Sequence, residues 1–342
     1  MEMVPPNAVK RRVPAKAAPM PNPAKPVLVI GSLNMDLVAR CARLPAPGET
    51  VAGRDFATVP GGKGANQAVA AARMGVRVMM VGTVGADAFG AALRAGLAAD
   101  GIDITHLAVG ATPTGTALIL VDDSGANSIV VVPGANAETG PALIDRALDA
   151  FPTPGVLLLQ HEIPAASVAH AIRAGHARGW FVLLNPAPAR PVPPALMPAI
   201  DLIAPNETEA ASLLGRDLGD PGEAAEALRA AGAHAALITL GAAGAVYADA
   251  DGVRHVPPVP VRAVDSTGAG DAFLGALGSM LAAGSRIDEA LGVAAAAAAL
   301  SVSRPGAQPS LPFRAEVETL ISRAANERPA DQAITATPRP RA

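Results

Sequence analysis

The run Asp265-Ser266-Thr267-Gly268-Ala269-Gly270-Asp271 could hold an anion and a base at one helix start, because it precedes the apolar stretch Ala272-Phe273-Leu274-Gly275-Ala276-Leu277. Small residues there leave first-turn N–H groups without backbone partners, and the helix dipole adds positive character. Gly268, Ala269 and Gly270 would therefore cradle an anion. Asp271 puts a carboxylate beside it. Amides for developing negative charge next to a base for a hydroxyl proton are what phosphoryl transfer to an alcohol requires. A glycine-rich turn with an aspartate helix cap carries the same letters, so the rest of the chain has to decide.

A second glycine-rich constellation is Gly61-Gly62-Lys63-Gly64-Ala65-Asn66-Gln67. It is not a P-loop, since Gly rather than Ser or Thr follows Lys63 and the upstream glycine spacing is wrong. Its glycines admit a ligand close to the backbone, while Lys63 and Asn66 offer donors to hydroxyls; a mobile turn is the alternative. Asn34 and Asp36 stand at i and i+2, so they face the same way if extended, and they suit sugar hydroxyls or a turn cap. Glu162 lies just past the apolar run Val156–Leu159, and His161-Glu162 lacks the second His of a zinc-protease helix. Asn206-Glu207-Thr208-Glu209 follows another apolar run; its match to a glycosylation acceptor has little weight in a cytosolic protein. Thr239-Leu240-Gly241-Ala242-Ala243-Gly244 is a strand-to-turn loop with room for a nucleotide's phosphates.

The elements that must position these residues follow from hydrophobic period. Pro26–Gly31, Val76–Gly82, Val156–Leu159, Trp180–Asn185, Asp201–Pro205 and Ala235–Gly241 read as buried strands ending in Gly, Pro or Asn. Between them lie helical stretches such as Ala65–Met74, Ala88–Asp100, Ala165–Arg178 and Pro221–Ala231. The alternation predicts a three-layer α/β fold, a doubly wound and mostly parallel sheet with helices on both faces. Residues 43–60 and 112–133 break the rhythm with β-type alternation, the second around the turn Asp122-Asp123-Ser124-Gly125-Ala126-Asn127. Two such insertions would form a small β-sheet lid over the carboxyl ends of the core strands, where ligands bind in open α/β sheets. The expected division is a flexible extension over 1–25, a core of 26–42, 61–111 and 134–325, a lid of 43–60 and 112–133, and a flexible tail over 326–342.

Composition narrows the class further. With eight aromatic residues and a formal net charge of −3, the chain lacks the rings and basic surface of a nucleic-acid binder. One cysteine, Cys41, excludes an internal disulfide framework and suits a reducing cytosol. No apolar run approaches the roughly 20 residues that span a bilayer, so neither nucleic acid nor membrane is expected as a partner and a cytoplasmic place is.

Taken together, Gly61 to Asn66, Asn206 to Glu209, Asp265 to Asp271 and Gly306-Ala307-Gln308-Pro309-Ser310 stand in the order and spacing of the ribokinase family of carbohydrate kinases. The chain resembles that family from about Val27 to Leu320, and Asn185-Pro186-Ala187-Pro188-Ala189-Arg190 and the alanine-rich stretch 294–300 strengthen the likeness. The resemblance implies ATP-dependent phosphorylation of a sugar, D-ribose first, by a homodimer paired through its lids. It implies that Asn34, Asp36, Gly62, Lys63, Asn66 and Glu162 hold the sugar and that Asp271 is the base. Asn206, Thr239, Gly241 and Gly244 would line the ATP site, with Gly268, Ala269 and Gly270 as the anion hole. Glu209 would organise Mg²⁺ through water. A K⁺ ion would be caged by Asp265, Thr267, Ser301, Arg304, Gly306 and Ser310, mostly through backbone oxygens. Two positions depart from the family pattern. Ser266 replaces the usual Thr, and Ala294–Ala299 stand where many relatives have Asn or His against adenine, so adenine recognition there would be mainly apolar. A kinase for a deoxypentose, another small sugar or a nucleoside is the nearest rival, and a non-catalytic sugar sensor the remote one.

Overall fold

The computed structural model describes residues 24–326. The flexible extension and tail expected over 1–25 and 326–342 lie outside that range except at their edges. There the Lys25 amide donates to Ala282 O, and Asn326 closes the last helix. The described strands are β1 Val27–Ile30, β2 Asn34–Cys41, β3 Gly53–Gly61, β4 Val78–Val84, β5 Leu107–Val109, β6 Gly115–Val121, β7 Asn127–Val132, β8 Val156–Gln160, β9 Phe181–Asn185, β10 Leu202–Ile203, β11 Ala235–Thr239, β12 Ala245–Asp249 and β13 Gly252–Val256. The described helices are α1 Lys63–Arg73, α2 Ala88–Ala99, α3 Pro141–Asp149, α4 Ala165–Ala177, α5 Glu207–Leu214, α6 Pro221–Ala230, α7 Ala269–Ala282, α8 Ile287–Val302 and α9 Arg314–Asn326.

The large sheet runs β13-β12-β11-β10-β9-β8-β1-β4-β5, parallel throughout except where β12 pairs antiparallel with both its neighbours. Its strands are apolar on both sides because both sides are covered. Val27 and Val29 of β1 point into the layer holding α1, α7 and α8, while Leu28 and Ile30 point into the layer holding α3, α4 and α6. All four are fully buried, and each such side chain contributes about 1.5–3 kcal/mol of burial. The β12–β13 hairpin, turning through Ala250-Asp251 before Gly252 at φ 116°, was not among the expected strands.

The second sheet runs β3-β2-β6-β7. It corrects the expected division: Asn34–Cys41, assigned above to the core, is one of its two inner strands, and no strand begins after it before Gly53. Strand β2 pairs antiparallel with β3 but parallel with β6, Asn34 opposite Gly115. A parallel partner 81 residues away is invisible to hairpin signals, which is why the insertions looked shorter than they are.

Helices α1 and α7 bring the two glycine-rich motifs together. Helix α7 is apolar almost all round and lies buried. At Gly275 a Cβ would sit 2.5 Å from the Ala70 Cβ and 2.6 Å from Gln67 O, so only glycine lets α1 approach this closely. Asp271 is four residues earlier on the same face, one helical turn from that contact.

Candidate active site

Asp271 sits in the first turn of α7, 6 % exposed. Asn66 Nδ2 donates to its Oδ2 at 2.9 Å, and Gln67 Nε2 donates to its Oδ1 at 3.0 Å. Gly268, the residue before α7, has φ 76°, a left-handed conformation that glycine adopts without strain. Ala272 N closes the first helical bond to Gly268 O, and Ala269 N is taken by Ser266 O at 3.2 Å. The amides of Gly268, Gly270 and Asp271 donate to nothing among the described residues, and the space around Gly270 is open. Three amides at this helix start are therefore free, and that of Ala269 is not among them.

The sugar-site candidates converge across the two sheets. Glu162 Oε2 accepts from Ser32 Oγ at 2.5 Å and from the Lys63 amide at 3.0 Å, which ties the start of α1 to the end of β8. Asn34 is buried and is a strand residue, not a cap; its Oδ1 accepts from Asn136 Nδ2 at 2.8 Å. Asn136 also brackets Leu33, accepting from its amide at 2.8 Å and donating to its carbonyl at 3.1 Å. Gly61 and Gly115 make room for this arrangement. A Cβ at Gly61 would meet the Asp36 carboxylate at 2.4 Å, and one at Gly115 would meet Asn34 Oδ1 at 2.3 Å. Burial pushes the Asp36 carboxyl up to about 7, helped by the charges of Glu162 and Asp271. Desolvation would lower Lys63, but the carboxylates of Asp271, Glu162 and Glu209 outweigh it and the ammonium ends above its ordinary range. Gly62, with φ 89°, caps α1 between these groups.

A cleft of about 570 Å³ opens beside the start of α7, lined by Thr239, Gly241, Gly244, Ala269 and Gly270 on one side. Phe273, Val259, Val302 and the α8 alanines Ala295, Ala298 and Ala299 are among the residues opposite, so α8 contributes an apolar wall. Asn206 and Glu209 do not line it. They form a capping box for α5: Asn206 Oδ1 accepts from Glu209 N at 2.8 Å, and Glu209 Oε2 accepts from Asn206 N at 2.9 Å.

The expected cation residues are only partly gathered. Asp265 accepts from Thr267 N and Oγ1 at 2.9 and 2.6 Å and from Gly306 N at 2.8 Å. Desolvation works against these bonds, yet they hold its carboxyl below the usual range. Ser301 and Ser310 turn their hydroxyls onto Ala298 O and Ala307 O. The Arg304 guanidinium pairs with Glu316 at 2.5 Å, which leaves only its backbone for a cation. Among the described residues no group of three or more His, Cys, Asp or Glu side chains could hold a metal ion. Residue-by-residue reading did not find Ser32, Asn136 and Gln160, because a lone amide or hydroxyl carries no motif.

Comparison with known proteins bears directly on this arrangement. Residues 24–314 match the model of the pfkB family carbohydrate kinases. The chain belongs to the pfkB family. It is 44 % identical over 297 residues to a ribokinase of Bacillus subtilis, covering 86 % of this chain and 99 % of that protein. It is also 38 % identical over 291 residues to a deoxyribokinase of Salmonella typhimurium, covering 84 % and 95 %. Among solved structures, that of Arabidopsis thaliana ribokinase complexed with ribose and ATP is similar with a TM-score of 0.78 at 32 % identity, covering 87 % and 99 %. As a member of the pfkB carbohydrate kinases the chain is a carbohydrate phosphotransferase. Among the described residues no helix is long and apolar enough to cross a membrane.

Proposed function

We propose that this chain transfers the γ-phosphoryl group of ATP to O5 of D-ribose, giving ribose 5-phosphate and ADP. The observation that carries the reading is Asp271 beside free helix-start amides, with the polar cluster of Asn34, Asp36, Lys63, Asn66 and Glu162 on one side and the nucleotide-sized cleft on the other. Ribose occupies the polar cluster, where the unpartnered, buried Asn66 Oδ1 takes a hydroxyl. Asp271 accepts the O5 proton as the O5–phosphorus bond forms and the bond from phosphorus to the β,γ-bridging oxygen breaks. The Gly268, Gly270 and Asp271 amides hold the charge on the transferring group. ADP release measured across pentoses, hexoses and nucleosides tests the assignment; no turnover with any sugar would overturn it.

Both cations of the family fit the residues present. Glu209 keeps one carboxylate oxygen outside its capping box and its charge reaches Lys63, so it can orient water around Mg²⁺ near the phosphates. Asp265, Thr267, Ser301, Arg304, Gly306 and Ser310 would hold K⁺ mainly through backbone oxygens, a hard set suited to a hard ion. A K⁺ ion held there would offset the charge of Asp265 and steady the loop that carries the helix-start amides. Turnover should rise with K⁺ at constant ionic strength and not with Li⁺; equal rates in both salts would remove the site.

The titration of Asp36 gives a further expectation. Sugar hydroxyls donate to the ionised carboxylate, so binding favours that form and releases a proton wherever Asp36 is protonated beforehand. Because its pKa is about 7 in the free protein, KM for ribose should climb as pH falls below 7 and level off above it. A KM flat between pH 6 and 8, or one whose slope survives in Asp36→Asn, would contradict this.

The small sheet acts as a lid and pairs with a second copy in a cytosolic homodimer. Its edge strand β7 exposes Ile129, Val130, Val131 and Val132, and on the opposite edge strand β3 Phe56 is 65 % exposed. An apolar open edge of this kind invites a strand partner or aggregation. Light scattering at micromolar concentration should give twice the chain mass; a strict monomer rules the pairing out.

A further inference from the structure

The reaction above uses Asn66 and Asp271 but gives no task to the polar side chains behind them. Gln67 and Gln160 are fully buried, and Asn185 is buried beside them. Gln67 Nε2 donates to Asp271 Oδ1 at 3.0 Å and reaches Asn185 Oδ1 at 3.3 Å. Asn185 Nδ2 is itself fixed to Ala204 O at 2.9 Å. A carboxylate only accepts, so Gln67 must turn its NH₂ toward Asp271 and its oxygen away. That oxygen accepts from Gln160 Nε2 at 2.6 Å. The Gln160 oxygen then has no partner and lies against Gly31, where a Cβ would stand 2.0 Å from it.

An apolar pair at 67 and 160 would fill this space without an orphaned buried carbonyl, which is a destabilising feature. What the polar pair supplies instead is a single orientation for the Gln67 amide, set by Gln160 and anchored to the ends of β8 and β9. We propose that Gln67 is a positioning residue for Asp271. It pins Oδ1 toward the interior and leaves Oδ2, shared with the sugar-site residue Asn66, to meet the acceptor hydroxyl. Gln160 acts one step further back by denying the Gln67 amide its flipped state. The proposal rests on Asp271 being the base.

The test uses the full chain carrying Gln67→Met or Gln160→Met, each alone and combined with Asp271→Asn, with kcat, both KM values and thermal unfolding measured. Misorientation of a reacting group costs on the order of 10²-fold, so Gln67→Met should lower kcat about 10–100-fold with both KM values within about threefold. Gln160→Met should lower kcat by a smaller factor, about 3–10-fold, because the amide it frees still samples the correct orientation. In the Asp271→Asn background neither change should lower kcat further, whereas a merely structural role would subtract the same factor there. Parental kcat in Gln67→Met beside a crippled Asp271→Asn overturns the positioning role alone, as do additive losses. Near-parental turnover in Asp271→Asn overturns the base assignment and this proposal with it. If Gln67→Met does not fold, the Gln160→Met pair decides by the same criteria.

Discussion

Replacing Asp271 by Asn should cut kcat by roughly 10²–10⁴-fold with little change in KM for the sugar, the range expected for removing a positioned general base. The substitution keeps the shape and loses only the acceptor character of one oxygen. It also places an NH₂ where Asn66 Nδ2 or Gln67 Nε2 now donates, so at least one of these bonds turns repulsive. The loss should thus combine missing proton acceptance with a disturbed amide network. The anion-hole amides are backbone groups and survive, so measurable residual turnover is expected. Steady-state kinetics of purified, folded Asp271→Asn decides the matter, and turnover within a few-fold of the parent would falsify the assignment.

D-Ribose should exceed 2-deoxyribose in kcat/KM by about tenfold or more, with nucleosides poorer still. The proposed sugar site holds polar groups that wait for partners: Asn66 Oδ1 is buried and unpaired, and the Asp36 carboxylate makes no hydrogen bond among the described residues. A missing hydroxyl leaves such a group desolvated and unpaired, which costs on the order of 1–3 kcal/mol. The penalty should be larger at pH 8 than at pH 6, because Asp36 titrates near 7 and only its ionised form must be paired. Nucleosides need a surface for a base, and the described residues offer few rings for one. Trp180 is buried edge-on against Phe151, and Tyr247 lies in β12. Phe56 pairs with Ala39, an odd position of β2, so it lies on the face of the small sheet opposite Asp36. Phe89 packs against the main core. The similarity to a deoxyribokinase makes the ratio informative. A ratio below one, or faster turnover of any nucleoside, assigns another acceptor to the same kinase.

Much of the site could be read locally because its motifs are short and lie at element ends. Gly268, Gly270 and Asp271 announce a helix start, and apolar runs ending in Gly, Pro or Asn announce the strands before Glu162, Asn185, Asn206 and Thr239. The period of hydrophobic residues therefore determined the parallel sheet and the rim on which the chemistry gathers. It also determined that Asn34 and Asp36 share a face once extended. The same local logic explains an ambiguity: Asn206 and Glu209 satisfy a helix cap three residues apart, a structural use visible in sequence alongside the nucleotide reading.

What only the tertiary structure decided is every pairing between elements far apart in the chain. Gln67 reaches Asp271 across 204 positions and Asn136 reaches Asn34 across 102. The parallel register of β2 with β6 moves Asn34 and Asp36 out of the core sheet and onto the small one. That placement sets Asp36 close enough to Glu162 and Asp271, and dry enough, for its carboxyl to rise to about 7. Hydrophobic period fixes which side of an element faces inward, because it follows from the geometry of one helix or strand. It says nothing about which inward-facing groups meet, since that depends on how glycines such as Gly275, Gly61 and Gly115 let separate backbones close together.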